Sequence, residues 1–195
     1  MTSPTGPGLR AYLLAARAIP LAAPMVLRRR LARGKELPDR WREKLGEASL
    51  PRPDGPLIWL HAVGLGETLA LRGLIAAMAD QAPAAGFLVT STTRGSAEVF
   101  AANLPPRTFH QFLPLDAPAY LTRFLDHWRP SLSVWAEQDL WPGAVVATSA
   151  RGIPLALINA RMNAAAYARR VKGKGLYSDL LARFRRAYPK VEVSA

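Results

Sequence analysis

Short apolar runs that alternate with helical stretches constrain the fold of this chain more than any other feature. Four such runs occupy residues 57–63, 87–92, 131–136 and 154–158, and residues 108–112 read as a further short strand. Stretches with helical spacing of apolar residues fill the intervals, and residues 164–186 also read as one or two helices. Strands that alternate with helices at this spacing specify a parallel sheet covered by helices on both faces. The sequence therefore predicts an α/β, doubly wound domain over residues 51–186, preceded by a basic segment (1–50) and followed by a tail (187–195).

The composition narrows the class of protein. Half of the 195 residues are hydrophobic and 21% are charged, which excludes an intrinsically disordered chain. The absence of cysteine excludes a disulfide framework and a thiolate metal site. His61, His110 and His127 are too dispersed to indicate a metal site, and we expect His61 and His110 to lie in the core or in the wall of a site.

The net charge of +12 is concentrated at the two ends of the chain. Residues 1–44 carry ten basic and three acidic side chains, and residues 161–190 carry nine basic and one acidic. Residues 45–160 carry seven basic and nine acidic side chains, so the centre is close to neutral. A nucleic-acid-binding domain spreads Lys and Arg over the face that reads the backbone. The distribution therefore argues against nucleic acid as a partner and favours an anionic membrane surface or ligand.

An apolar run over residues 11–27 precedes a cluster formed by Arg28, Arg29, Arg30 and Arg33. Its seventeen residues fall short of the roughly 20 that a membrane-spanning helix needs. The charges follow the run, whereas those of a cleavable signal peptide precede it. We expect a segment that enters one leaflet and is held by the arginines at anionic headgroups. A helix packed on the domain and a true membrane span are the alternatives.

Four loops at the predicted carboxyl ends of strands are the candidate sites, because ligands of such sheets bind there. In the first loop, Gly64 and Gly66 allow a sharp turn and the close approach of a ligand, and Glu67 stands at the start of a helix. A carboxylate in that place can act as a general base toward a bound hydroxyl. The alternative is a glutamate that caps the helix and has no part in chemistry.

The second loop combines hydroxyl groups, a glycine and a positive charge at a predicted helix start. Thr92, Gly95 and Ser96 together with Arg94 can form a cradle for an anion. Ordinary capping of the helix N-terminus is the alternative interpretation of the same residues.

The third and fourth loops also follow strand ends. Glu137, Asp139 and Trp141 suit a hydroxyl-rich ligand such as a sugar, although Trp141 can instead fill the core and the carboxylates can face solvent. Asn159 and Arg161 follow the fifth strand, and the guanidinium of Arg161 can bind a phosphate or carboxylate through two hydrogen bonds. A solvated arginine that opens the basic C-terminal block is the alternative.

Taken together and in this order, the loops resemble the N-terminal domain of the transferases of 3-deoxy-D-manno-octulosonic acid (Kdo). The resemblance extends over about residues 10–186 and includes the arginine-rich segment at 40–46. The matching motifs are HAVGLGE at 61–67, TSTTRGS at 90–96, HQFLPLD at 110–116, EQDLWP at 137–142 and NAR at 159–161. Within or next to these motifs, the family typically has Ser where Gly64 stands, Glu where Asp139 stands and Asn where Gly143 stands.

The resemblance implies a GT-B glycosyltransferase with two Rossmann-like domains, of which the N-terminal one binds the acceptor, a phosphorylated lipid A precursor (lipid IVA). The donor, CMP-Kdo, would be bound mainly by the second domain, and no cofactor or metal is implied. Glu67 would be the general base, and Arg94, Glu137 and Arg161 would line the acceptor side of the cleft. The N-terminal segment would hold the enzyme on the cytoplasmic face of the inner membrane, peripherally or by a single anchor.

The chain ends about where the first domain of that family ends. We therefore expect a fragment without the donor domain that does not transfer Kdo by itself, and a separately encoded donor domain is a candidate partner. The alternative function is a non-catalytic, membrane-associated module that binds glycolipid.

Overall fold

The computed structural model describes residues 5–102, 104–136, 140–160 and 175–189. Six parallel strands form one sheet in the order β3-β2-β1-β4-β5-β6. The five predicted strands are present, each within two residues of its predicted ends, which confirms the α/β fold. The strands are β1 (Leu57–Ala62), β2 (Gly86–Ser91), β3 (Thr108–Phe112), β4 (Leu132–Ala136), β5 (Leu155–Ala160) and β6 (Arg186–Pro189).

Helices cover both faces of the sheet. They are α1 (Pro7–Ala16), α2 (Ile19–Ala32), α3 (Leu65–Gln81), α4 (Arg94–Ala101), α5 (Pro118–Trp128), α6 (Pro142–Ala150) and α7 (Leu176–Leu181), with a 3-10 helix, η1 (Trp41–Leu45). Alternate residues of a strand point to opposite faces, so β1 contributes to two cores. Leu57 and Trp59 pack with α5 and α6, whereas Ile58 and Leu60 pack with α3 and α4.

The sixth strand corrects the prediction for the end of the chain. One or two helices were expected within residues 164–186, of which α7 is present, while residues 164–174 lie outside the described residues. Residues 187–195 were expected to be a tail, but β6 crosses that boundary and pairs with β5. Only four residues long and opened by Arg186, β6 has no apolar run of its own. Its strand structure comes from hydrogen bonding to the edge of β5, which a local pattern does not reveal.

The predicted apolar segment at 11–27 is divided between α1 and α2, which are bent by 54° relative to each other. No single helix within the described ranges is long and apolar enough to span a membrane, and this bent pair meets the criterion only when both helices are counted together. Leu9 lies in the larger core, and Ala23 and Leu27 pack with Leu45 of η1. The inner face of the pair therefore rests on the domain, as in the packed-helix alternative.

The arginine-rich segment ends at a glycine that the structure requires. Gly46 follows η1 with φ +80°, a left-handed conformation that side chains with a Cβ rarely adopt. A Cβ at this position would also lie 2.2 Å from the carbonyl oxygen of Tyr120 in α5. Gly46 therefore ends η1 and permits the close contact of the segment with α5.

Candidate functional site

The loop after β1 lies at the point where the strand order reverses. Chain connections run from β1 toward β2 and β3 on one side, and β4 to β6 lie on the other side of β1. In open α/β sheets the ligand crevice forms at the carboxyl ends of the strands that flank this point. Glu67 lies in the first turn of α3, directly after β1, where the positive end of the helix dipole favours a carboxylate.

The Glu67 side chain folds back toward the start of its own helix. A Cβ placed on Gly64 would lie 2.0 Å from Oε2 of Glu67, so the carboxylate occupies the space above that glycine. Gly64 itself has φ −85° and ψ 166°, an extended conformation open to any residue. Gly64 therefore permits the close approach of the Glu67 carboxylate. It does not form the sharp turn expected from the sequence. Gly66 has no neighbouring atom within 4 Å of a Cβ and leaves open space beside Glu67.

The second loop caps the N-terminus of α4. The Oγ1 atom of Thr93 accepts a hydrogen bond from the backbone N–H of Ser96 at 3.2 Å and donates one to Oγ of Ser96 at 2.8 Å. Arg94 pairs with Glu98 at 2.6 Å and donates to the carbonyl oxygen of Gly34 at 3.2 Å. Ser96 is thus committed to the start of α4, whereas Gly95 is exposed with nothing within 4 Å of a Cβ.

The structure describes part of the third and fourth loops. Glu137, Asp139 and Arg161 lie outside the described residues. Asn159 belongs to β5 by its backbone. Trp141 precedes α6 as its N-cap residue and packs against the larger core, in agreement with the core alternative. The Nε1 atom of Trp141 is nevertheless buried without a hydrogen-bond partner among the described residues.

A cavity of about 320 Å³ brings two of the predicted site residues together. Thr92 and Trp141 both line it, beside Leu113 and Leu115 from the segment after β3. Its remaining walls come from α2, from η1 and from Glu36 between them. The other predicted residues that the structure describes lie outside this lining, including Glu67 and Arg94.

Charged residues of the cavity were not predicted from the sequence. Glu36 is buried, and its carboxylate accepts hydrogen bonds from Nε of Arg30 at 2.5 Å and from Nζ of Lys44 at 2.6 Å. Two cations share one carboxylate, so Arg30, Lys44 and Glu36 together carry one net positive charge at the cavity wall. In the sequence, Glu36 is distinguished only as one of three acidic residues beside ten basic ones within residues 1–44.

A second buried network ties η1 to the ends of β2 and β3. Arg40 donates two hydrogen bonds to Glu43, at 2.8 and 2.9 Å, and Glu43 also accepts the backbone N–H of Phe112 at 2.7 Å. Nη2 of Arg40 lies 2.9 Å from Nδ1 of His110. Because guanidinium only donates, Nδ1 is the acceptor and Nε2 carries the proton that reaches Oγ of Ser91 at 2.9 Å. Burial, assisted by the Arg40 charge, lowers the pKa of His110 to about 3.

His61 lies near the end of β1, on the face of the larger core. Its Nδ1 is 2.9 Å from Oγ1 of Thr90, which also accepts the indole N–H of Trp59 at 2.8 Å. Burial lowers the pKa of His61 to about 4, so the ring is neutral at neutral pH. The burial of His61 and His110 confirms the expectation that both lie in the core or in the wall of a site. Within the described ranges, no three His, Asp or Glu side chains converge as metal ligands do.

Asp116 caps α6 from the segment after β3. Its carboxylate accepts the backbone N–H groups of Gly143 and Ala144 at 2.7 and 2.8 Å and the hydroxyl of Tyr12 at 2.7 Å. Burial raises the pKa of Asp116, against the three donors, which lower it. A Cβ on Gly143 would lie 2.8 Å from Oδ1 of Asp116, so this glycine permits the close contact.

Comparison with known proteins assigns the family. The family model described as 3-deoxy-D-manno-octulosonic-acid transferase matches residues 39–195. The probable mitochondrial transferase of this name from Arabidopsis thaliana is 42% identical over 143 residues, which are 73% of this chain and 32% of the relative. The Rickettsia felis transferase is 38% identical over 71% of this chain and 29% of its own length, and that of Rickettsia bellii is 34% identical over 80% and 37%.

The matched part thus spans about a third of the length of these relatives. Three observations indicate the same family. They are the five sequence motifs, the doubly wound sheet and the similarity to the named relatives. This chain belongs to the 3-deoxy-D-manno-octulosonic acid transferase family of glycosyltransferases.

Proposed function

We propose that this chain is the acceptor-binding domain of an enzyme that transfers Kdo from CMP-Kdo to a lipid A precursor. The observation that carries the proposal is the position of Glu67 at the switch point of the sheet, in the first turn of α3. Gly66 and Gly95 leave open space at the ends of the neighbouring strands β1 and β2, where an acceptor sugar can approach.

In the proposed reaction, the carboxylate of Glu67 takes the proton of an acceptor hydroxyl. The hydroxyl oxygen attacks the anomeric carbon of Kdo, the bond from that carbon to the phosphate oxygen of CMP breaks, and the configuration inverts. A positioned general base contributes about 10²- to 10⁴-fold to such a step. No metal or cofactor has a part in this scheme, so we expect transfer to be insensitive to EDTA.

The proposed enzyme lies on the cytoplasmic face of the inner membrane. Leu14, Leu21, Met25 and Val26 expose large apolar side chains on the outer face of α1 and α2. The arginine cluster that begins at Arg28 follows on the same helix pair, and each basic residue near an anionic surface contributes about 1 kcal/mol. These features support peripheral attachment through the outer face of the helix pair.

A non-catalytic glycolipid-binding module is the second candidate. It is favoured by the folded-back side chain of Glu67, which stands three residues after the N-cap Gly64, where a glutamate commonly caps its own helix. The chain also matches only about a third of each full-length relative. The two candidates share acceptor binding and differ in transfer when a donor domain is supplied.

Acceptor binding is tested with the 195-residue chain and a fluorescent lipid A precursor in detergent micelles. We expect saturable binding that is unchanged by Glu67→Gln and weakened several-fold by Arg94→Gln, because only the second change removes a positive charge. Arg72→Gln, on the exposed side of α3, is the matched loss of one arginine. Absence of saturable binding would refute both candidates.

A further inference from the structure

The motif at residues 110–116 ends on Asp116, a carboxylate to which the transfer mechanism gives no role. Asp116 is buried, at 3% exposure, and a buried charge is costly unless hydrogen bonds satisfy it. The backbone N–H groups of Gly143 and Ala144 and the hydroxyl of Tyr12 donate to this carboxylate, at 2.7, 2.8 and 2.7 Å. All three donors are uncharged, so the loss of any one of them leaves part of the buried charge unsatisfied.

The three donors come from two separate helices. Gly143 and Ala144 belong to the first turn of α6, whereas Tyr12 belongs to α1 and precedes Asp116 by 104 residues in the chain. Burial and the hydrogen bond to Asp116 raise the pKa of Tyr12, so its hydroxyl is protonated and donates at neutral pH. Leu9 fixes α1 on the larger core. Through Asp116, the positions of α1 and of the first turn of α6 therefore depend on each other.

The first turn of α6 determines where Trp141 stands. Trp141 is the N-cap residue of α6, and its carbonyl oxygen accepts the backbone N–H of Val145 at 3.0 Å. Its side chain lines the cavity of about 320 Å³ together with Thr92 of the second loop. The helix pair also contacts that second loop, because Arg94 donates to the carbonyl oxygen of Gly34, just after α2, at 3.2 Å. The inner face of the helix pair thus contacts the segments on both sides of this cavity.

We propose that Tyr12 is a positioning residue of the acceptor site. Through Asp116 it fixes the first turn of α6 and thereby holds Trp141 in the wall that Trp141 shares with Thr92. The helix pair then has two roles, since its outer face attaches to the membrane and its inner face completes the site. The proposal rests on the proposed function for the ligand, a lipid A precursor, whereas the position of Trp141 can be measured without any ligand.

The first measurement is the indole N–H resonance of Trp141 in the isotope-labelled 195-residue chain, assigned by its absence in Trp141→Phe. Tyr12→Phe removes the hydroxyl and keeps the ring, and we expect it to shift or split this resonance. The indole resonances of Trp59 and Trp128, which donate to their own acceptors in the core, should stay in place. A Tyr12→Phe chain that unfolds at lower urea but leaves the Trp141 resonance unchanged would make Asp116 a stabilising helix cap only and refute the proposal.

The matched control is Ser131→Ala. It also removes one hydroxyl hydrogen bond, from Oγ of Ser131 to the carbonyl oxygen of Leu57 at 3.1 Å, at the opposite edge of the sheet. The Trp141 resonance should be the same in this variant as in the wild type. A shift equal to that of Tyr12→Phe would show a general response to destabilisation and would overturn the positioning role.

A double-mutant cycle tests whether Tyr12 acts through Asp116. Asp116→Ala removes the acceptor, so adding Tyr12→Phe to it should shift the Trp141 resonance no further. An equal shift from Tyr12→Phe in both backgrounds would mean that Tyr12 acts by another route and would contradict the proposal. The comparison of Tyr12→Phe with Ser131→Ala decides the matter even if Asp116→Ala does not fold.

The second measurement is binding of the fluorescent lipid A precursor in detergent micelles. Tyr12→Phe should weaken this binding several-fold, and Ser131→Ala should leave it unchanged. Binding of the chain to vesicles containing phosphatidylglycerol should not respond to Tyr12→Phe, because the outer face of the helix pair is intact. Equal losses of acceptor binding and vesicle binding would assign Tyr12 to membrane attachment and refute its role in the site.

Failure of this proposal is distinguishable from failure of the proposed function. Absence of acceptor binding by the wild-type chain would refute the proposed function, and the Trp141 resonance would then decide the positioning role of Tyr12 by itself. Conversely, acceptor binding that is as strong in Tyr12→Phe as in the wild type would retain the proposed function and refute the positioning role.

Discussion

Two buried neutral histidines should make the fold labile to mild acid. Burial lowers the pKa of His61 to about 4 and that of His110 to about 3, from an ordinary value of 6.5. Below pH 6.5 the unfolded chain binds protons that the folded chain excludes, so stability is present above 6.5 and is lost as the pH falls toward the folded pKa values. Each histidine then costs about 1.4 kcal/mol per pH unit.

Between about pH 7 and about pH 5 the two histidines together should remove about 4 kcal/mol of unfolding free energy. That is a large part of the roughly 5–15 kcal/mol that stabilises a typical domain. Asp116 works in the opposite sense, because burial raises its pKa and its ionisation costs stability as the pH rises. Comparison with single histidine variants isolates the histidine contribution from that of Asp116.

The assay is urea unfolding followed by circular dichroism at several pH values between about 7 and 5. His61→Gln and His110→Gln should each halve the pH dependence that the histidines cause, to about 2 kcal/mol over this interval. His127→Gln is the matched control, because His127 lies near the surface with Nε2 2.9 Å from the carbonyl oxygen of Leu50. A wild-type stability that is flat over this interval, or a slope that neither substitution reduces, would refute the reasoning.

Three further substitutions test the packing around the site by urea unfolding. Gly46→Ala should lower the free energy of unfolding by more than about 2 kcal/mol, because the backbone there is left-handed and the new Cβ would lie 2.2 Å from the carbonyl oxygen of Tyr120. The control is Gly73→Ala in α3, where a Cβ meets nothing within 4 Å, and this change should be neutral or stabilising. Glu43→Gln should cost about 3 kcal/mol, because the Arg40 guanidinium loses its buried counter-ion, and a loss below about 1 kcal/mol would contradict this. Gly143→Ala should cost about 1–3 kcal/mol by displacing Asp116 from the start of α6, and unchanged stability would show that the contact tolerates a methyl group.

The sheet could be predicted because its strands carry their own signal. Strands buried on both faces are mainly apolar, and β1, β2, β4 and β5 have this property, whereas β3 carries Thr108, His110 and Gln111 beside its two phenylalanines. β6 has no such signal, since its four residues become a strand only by pairing with β5. The apolar character of residues 11–27 is evident in the sequence, but their division into two helices with one face on the domain depends on contacts with distant residues.

The loops of the site could be located from the sequence, whereas their contacts could not. The carboxyl ends of parallel strands meet at one edge, which places Glu67 and Thr92 in the segments that follow the neighbouring strands β1 and β2. The cavity that joins Thr92 to Trp141 requires α2, which lies about sixty residues or more earlier in the chain. The pairing of Glu36 with Arg30 and Lys44 likewise follows from tertiary packing, because charge counts alone describe the block as solvated.

A reconstituted transfer assay tests most directly whether Glu67 of this chain serves as the base for Kdo transfer. The 195-residue chain is mixed with the C-terminal part of the Rickettsia felis relative, CMP-Kdo and a lipid A precursor, and the glycolipid product is measured by mass spectrometry. We predict transfer with the wild-type chain, a loss of at least about 100-fold with Glu67→Gln, and no loss with Asp80→Asn at the far end of the same helix. Full activity of Glu67→Gln would contradict the role of this carboxylate, and no transfer by the wild-type mixture would favour the non-catalytic module.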